Sequence, residues 1–130
     1  MNQGGYCVHA RIESIATETT GYTVFTLPDQ MRLVAASVYI DNVNCTGTGA
    51  AAKVNILTGS GGGTTMLTGA ITIHVTNDNQ ELTPSIKQGS GANVDATTKR
   101  VRVQVTAAGG DTSVVAGIQC FLFFERPLLP

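Results

Sequence analysis

The amino-acid sequence predicts an all-β chain: an antiparallel β-sandwich of about seven or eight short strands, with a jelly-roll-like topology favoured over an immunoglobulin-like one. Three observations carry this expectation. Apolar and polar residues alternate with a period of two along much of the 130 residues. Turn-forming clusters recur roughly every 8–12 residues, the spacing of sandwich strands. Helix signals are nearly absent, since Ala35-Ala36 and Ala50 to Ala52 are short and sit among β-formers and glycines. The Cys…Trp…Cys signature of an immunoglobulin domain cannot exist in a chain that has no Trp.

The elements follow in order. Tyr6, Val8, Ala10 and Ile12 share one face of a first strand, opposite Cys7, His9, Arg11 and Glu13. Tyr22 to Leu27 is β-branched and aromatic, and Pro28-Asp29 stops it. From Met31 to Asp41, Leu33, Ala35, Ser37 and Tyr39 alternate with Val34, Ala36, Val38 and Ile40. Both faces are mostly apolar, as a central or covered strand requires. Lys53 to Leu57 is a further strand, entered from a Thr/Gly/Ala loop at 46 to 51. Ile71, Ile73 and Val75 form an inward face against Thr72, His74 and Thr76. Glu81 to Ile86 is interrupted by Pro84, which suits an edge. Arg100 to Thr106 alternates strictly, with Val101, Val103 and Val105 inside. A turn at 107 to 111 then leads to a long closing strand, Val114 to Glu125. Two Gly-rich stretches, Thr58 to Thr65 and Gln88 to Asn93, are expected to be flexible surface loops within a single domain spanning 1–130.

Composition excludes several function classes. Only 13% of residues are charged, against about 25% in a typical soluble domain. The chain's 18 Thr fill much of the gap, solvating strand faces without charge. A net charge of −1 offers no clustered Lys/Arg footprint, so no nucleic-acid partner is expected. No run of about 18 apolar residues spans a membrane, and Met1 to Gly5 carries neither a basic nor an apolar leader region. Cys7, Cys45 and Cys120 are odd in number and scattered, which predicts small buried hydrophobes in a reducing cytosol rather than a disulfide framework or metal site.

No motif selects a catalytic residue, a cofactor or a metal. The glycines at 59 to 63 are followed by Thr64-Thr65 with no Lys, and no helix follows them, so neither a Walker A loop nor a dinucleotide fingerprint is present. His9 and His74 lie on polar strand faces without HxH or HxxxH partners, and are expected to be exposed or at an interface. Asn77-Asp78-Asn79 lacks the spaced calcium-loop pattern and its distal Glu. Among Glu13, Glu18, Asp41, Glu81 and Asp111, nothing selects a facing pair for glycoside chemistry. The expectation is a non-enzymatic protein.

The run Phe121-Leu122-Phe123-Phe124 is more informative, because Phe121 and Phe123 share one face and Leu122 and Phe124 the other. Both faces want cover. Either both lie inside the same sandwich or one is met by another subunit. Pro127-Leu128-Leu129-Pro130 cannot extend a helix or a central strand, and reads as an arm on a neighbour or a disordered end.

The succession of an N-terminal strand, Tyr22-Thr23-Val24-Phe25-Thr26-Leu27-Pro28, Val38-Tyr39-Ile40-Asp41, a Gly/Thr loop, Val101 to Thr106, the turn 107 to 112 and Val115 to Phe124 resembles small tailed-bacteriophage virion proteins, above all β-sandwich decoration (cement) proteins of the capsid. The resemblance covers most of the chain through composition and strand rhythm. It implies a homo-oligomer, a trimer being favoured, that binds a major capsid protein or another virion protein and stabilises a head assembled in the bacterial cytoplasm. It carries over no catalytic residue. The N-terminal segment (1–6, with Asn2, Gln3 and Tyr6) and the C-terminal arm (126–130, Arg126, Pro127, Leu128, Leu129 and Pro130) are the expected attachment elements. The competing expectation is a tail-tip or fibre module that binds a cell-surface glycan.

Overall fold

The computed structural model describes residues 5–15, 20–45, 50–59, 63–74, 79–107 and 113–126. Nine strands form two antiparallel sheets, with no α-helix among the described residues. They are β1 (Tyr6–Ile15), β2 (Thr20–Thr26), β3 (Arg32–Cys45), β4 (Ala50–Thr58), β5 (Thr64–Thr65), β6 (Ile71–His74), β7 (Gln80–Leu82), β8 (Arg100–Ala107) and β9 (Ser113–Glu125). Sheet I has the order β1-β9-β3-β7. Sheet II runs β2-β8-β4, with β5 and β6 pairing the two ends of β4. The antiparallel pairs β1·β9, β2·β8, β3·β7 and β4·β6 are nested, so the chain folds back around β4–β6 as one long hairpin and rolls into two layers. That is the connectivity of a jelly-roll-like sandwich.

The strand pattern explains the core. Val101, Val103 and Val105 are fully buried, while Arg100 and Thr106 are exposed. Opposite them, Ile118, Cys120, Leu122 and Phe124 of β9 turn inward. Phe25 of sheet II meets Phe124 of sheet I edge-on, ring centres 6.3 Å apart, which ties the two layers together. Burial of each such side chain contributes roughly 1.5–3 kcal/mol. The edge position expected near Glu81 is occupied by β7, which ends before Pro84.

Four sequence expectations are corrected. Strict alternation groups Leu33 with Ala35, Ser37 and Tyr39, yet Leu33 is buried together with Ala36, Val38 and Ile40. A register irregularity between Leu33 and Ala35 inserts one residue, and because side chains alternate every residue it switches the parity of the strand. The stretch Gln88 to Asn93 is a pinned 3-10 turn at Gly89–Ala92, not a flexible loop. Ala92 and Val94 are fully buried, and the Val94 N–H donates to the Met31 carbonyl at 2.8 Å. The loop expected over Thr58 to Thr65 has narrower bounds, because Leu57 and Thr58 of β4 pair with Thr65 and Thr64 of β5; residues 60–62 lie outside the described set. Finally, β1 already begins at Tyr6. Tyr6 is therefore a strand residue rather than part of an arm.

Candidate interaction face

The outer face of sheet I is built in cross-strand rows. Cys7, Phe123 and Ala35 lie abreast on β1, β9 and β3; His9, Phe121 and Ser37 form the next row. Arg11, Gln119, Tyr39 and Glu81 form a third row across all four strands. Before the first row, Glu125 sits opposite Arg32. Two rows rich in aromatic and small side chains are thus flanked by charged ones, an apolar centre with a polar rim.

The inner face of this sheet is saturated by the sandwich, and period two forces the alternate residues outward. Leu122 and Phe124 are buried, whereas Phe123 is 42% exposed and Phe121 is half-buried. Of the two alternatives for the closing strand, the arrangement with both faces inside one sandwich does not occur among the described residues. The His9 ring stacks on Phe121 at 4.6 Å with the planes 4° apart, and its Nε2 lies 3.0 Å from the Gln119 carboxamide oxygen. This holds the imidazole flat over the aromatic row. His9 is exposed, as its polar-face position predicts, and His74 is exposed on β6. The Tyr39 hydroxyl donates to the Asn79 side-chain oxygen.

The outer face of sheet II is different in kind. None of its strands contains an acidic residue, and β4 and β8 present Lys53, Arg100 and Arg102. The Arg102 guanidinium lies 4.8 Å from the centre of the Tyr22 ring, a cation–π contact on a tyrosine that is 58% exposed.

The cysteine expectation holds for Cys120 and fails for Cys7. Cys120 points into the core, where burial pushes its thiol up to about 12. Cys7 falls on the outer parity of β1 and is exposed. The side chain of Cys45 lies outside the described set.

Of the expected attachment residues, Tyr6 and Arg126 are brought together: with Gly5, Pro28, Asp29, Gln30 and Met31 they line a cleft of about 270 Å³ at one end of the sandwich. Asn2, Gln3 and residues 127–130 lie outside the described residues, as do Glu18, Asn77, Asp78 and Asp111. Among the described residues, no three His, Cys, Asp or Glu side chains group as metal ligands. The aromatic row itself was legible only in part. Phe121 and Phe123 stand out in the sequence, but their neighbours His9, Ser37 and Ala35 come from strands whose pairing no local signal announces.

No protein-family model matches the chain, and no curated protein does. A solved structure that it resembles is the infectious bursal disease virus VP2 subviral particle, at 13% identity and a TM-score of 0.27 over 95% of this chain. A second is that of T=1 particles derived from infectious bursal virus, at 11% identity and a TM-score of 0.17 over 97% of this chain. This chain spans about two fifths of the length of either, covering 42% and 40%. Neither is a tailed-bacteriophage protein, and superposition at this level carries no functional inference.

Proposed function

We propose that this chain is a non-enzymatic structural protein of a virion, a decoration or cement protein that attaches to a bacteriophage head as a homo-oligomer, with a trimer favoured. The observation that supports this most directly is the outer face of sheet I, where among the described residues Phe123 stays exposed and Phe121 only half-buried. An apolar strip at the centre of a rigid sheet, with charged residues confined to its margins, suits repeated contacts between identical copies. Convergence of Tyr6 and Arg126 on one cleft supports attachment through segments at that end of the sandwich. Jelly-roll sandwiches serve both as viral capsid and as lectin domains, so the surfaces rather than the fold decide between them.

The test is size-exclusion chromatography with light scattering, alongside mass spectrometry of purified particles. Self-association that Phe123→Ser abolishes, and presence of the chain in particles, are the expected results. A strict monomer absent from particles overturns the reading.

One observation favours the glycan-binding alternative. Tyr22, exposed beside Arg102, Arg100 and Lys53, offers an aromatic surface with polar neighbours, as a tail-tip or fibre module needs. Glycan-array binding that Tyr22→Ala removes, without self-association, would transfer the assignment to that reading.

A further inference from the structure

The edge of β3 that faces β7 is paired only in part. β7 covers Val38 to Ile40, and an isolated bridge joins Arg32 to Asn93. Between them, residues 33–37 have no strand partner on that side among the described residues. A strand edge left open exposes backbone donors and acceptors to any extended chain, and folded proteins ordinarily blunt such edges. The outer edge of β1 is an example, since the Thr23 hydroxyl there donates to the Arg11 carbonyl at 2.9 Å. Among the described residues, the open stretch of β3 has no such cap. It borders a cleft of about 360 Å³, lined by Arg32, Leu33 and Val34 on one side and Ile86 to Gly89 on the other.

A second observation falls on the same stretch. Three buried side-chain polar atoms lack a hydrogen-bond partner among the described residues: Arg32 Nε, Ser37 Oγ and Asn93 Oδ1. Arg32 and Ser37 stand at the two ends of the open edge, and Asn93 is the residue bridged to Arg32. Buried polar atoms are ordinarily paired, so orphans at both ends of the open edge and on the residue bridged to it indicate a site completed by something else. The cleft lining holds two cations, Arg32 and Lys87, and no acidic residue, while Leu33, Val34 and Ile86 supply apolar surface.

We propose that this cleft accepts an extended peptide segment from another protein, which adds a short strand to the open edge of β3 and places an Asp or Glu carboxylate between Arg32 and Lys87. Backbone hydrogen bonds supply affinity in strand addition, and the pockets for alternate side chains supply selectivity. A gap of five residues corresponds to about 17 Å of extended chain. Two cations and no acidic residue in the lining make charge complementarity with an acidic segment of a partner protein the argument for this occupant. The proposal does not depend on the virion reading.

A display library of random seven-residue peptides, selected on the wild-type protein, tests it. Enriched sequences are expected to combine one Asp or Glu with alternating β-branched or aromatic residues. Bound peptide is expected to slow amide exchange of residues 33–37 at least tenfold, and Lys87→Met or Arg32→Met to weaken binding at least tenfold. Lys87 is outside any strand, so its variant remains informative where Arg32→Met affects folding. Acid-free enriched peptides, equal binding by Lys87→Met, protection confined to Phe121 and Phe123, or no enrichment at all each overturn the proposal.

Discussion

Gly117 of β9 lies directly against Asp41 of β3, so closely that a Cβ on Gly117 would sit 2.5 Å from the Asp41 Cβ and 3.0 Å from its Oδ2. The backbone at Gly117 also has φ +65°, a conformation that side chains with a Cβ resist by roughly 1–2 kcal/mol. Gly117→Ala is therefore expected to destabilise by more than about 2 kcal/mol, measured by urea denaturation. Combining it with Asp41→Gly should recover the steric part and leave the backbone part, a separation that a double-mutant cycle reads out.

Thr58 joins sheet II to the segment that plugs one end of the sandwich. Its buried hydroxyl donates to the Arg100 carbonyl and accepts the Asp95 N–H, both at 2.8 Å. Thr58→Val keeps the shape and orphans both backbone groups, with an expected loss of about 1–3 kcal/mol. Thr58→Ser should retain most of the stability, and thermal unfolding of the two variants side by side checks this.

Asp95 shapes the turn into β8 by accepting the Thr98 N–H at 2.7 Å and the Thr98 hydroxyl at 2.9 Å. The backbone bond from Thr98, then its side-chain bond, hold the Asp95 carboxyl below its ordinary value. A depressed folded-state value means that this contribution is complete above the unfolded value of about 3.9 and is lost as pH falls through the folded one. The difference in melting temperature between wild type and Asp95→Asn is thus expected to be present at neutral pH and to shrink in acid. A gap that stays constant down to strongly acidic pH contradicts this.

Leu122 and Phe123 are neighbours in sequence with opposite fates. Leu122→Ala opens a cavity in the core and is expected to destabilise the fold by about 2–5 kcal/mol. Phe123→Ser removes a side chain from the outer face, with an expected stability effect below about 1 kcal/mol and, on the proposed function, an expected loss of self-association. Denaturation and light scattering on both variants separate the two roles.

Thiol labelling probes the same two faces without mutation. Cys7 should react with a maleimide in the native state, while Cys120, buried and with its thiolate strongly disfavoured, should label only on unfolding.

Much of this was readable from the chain itself. Val101, Val103 and Val105 announce a half-buried strand because successive side chains must point to opposite faces, and the structure buries those three. Pro84 likewise forbids a central strand, and β7 is found at an edge. Such readings succeed where one residue's neighbours along the chain decide its environment. The parity of β3 failed that rule at Leu33, because the register irregularity is set by pairing with β9 and leaves no mark on the local alternation. The Gly-rich run at 88 to 93 failed it too, since Val94 and Ala92 are held by Met31 and the core rather than by local propensity.

What the sequence determined by itself is the all-β class, the inward face of most strands and the two-sided apolar character of Phe121 to Phe124. Those follow from covalent geometry and from the transfer of apolar surface out of water. Only the tertiary structure decided which of the two faces the chain covers, that His9 lies stacked on the uncovered one, and that Arg32, Ser37 and Asn93 gather unpaired polar atoms along one open edge. These depend on pairing between residues as far apart as Tyr6 and Phe124, contacts that the period of a single strand cannot encode.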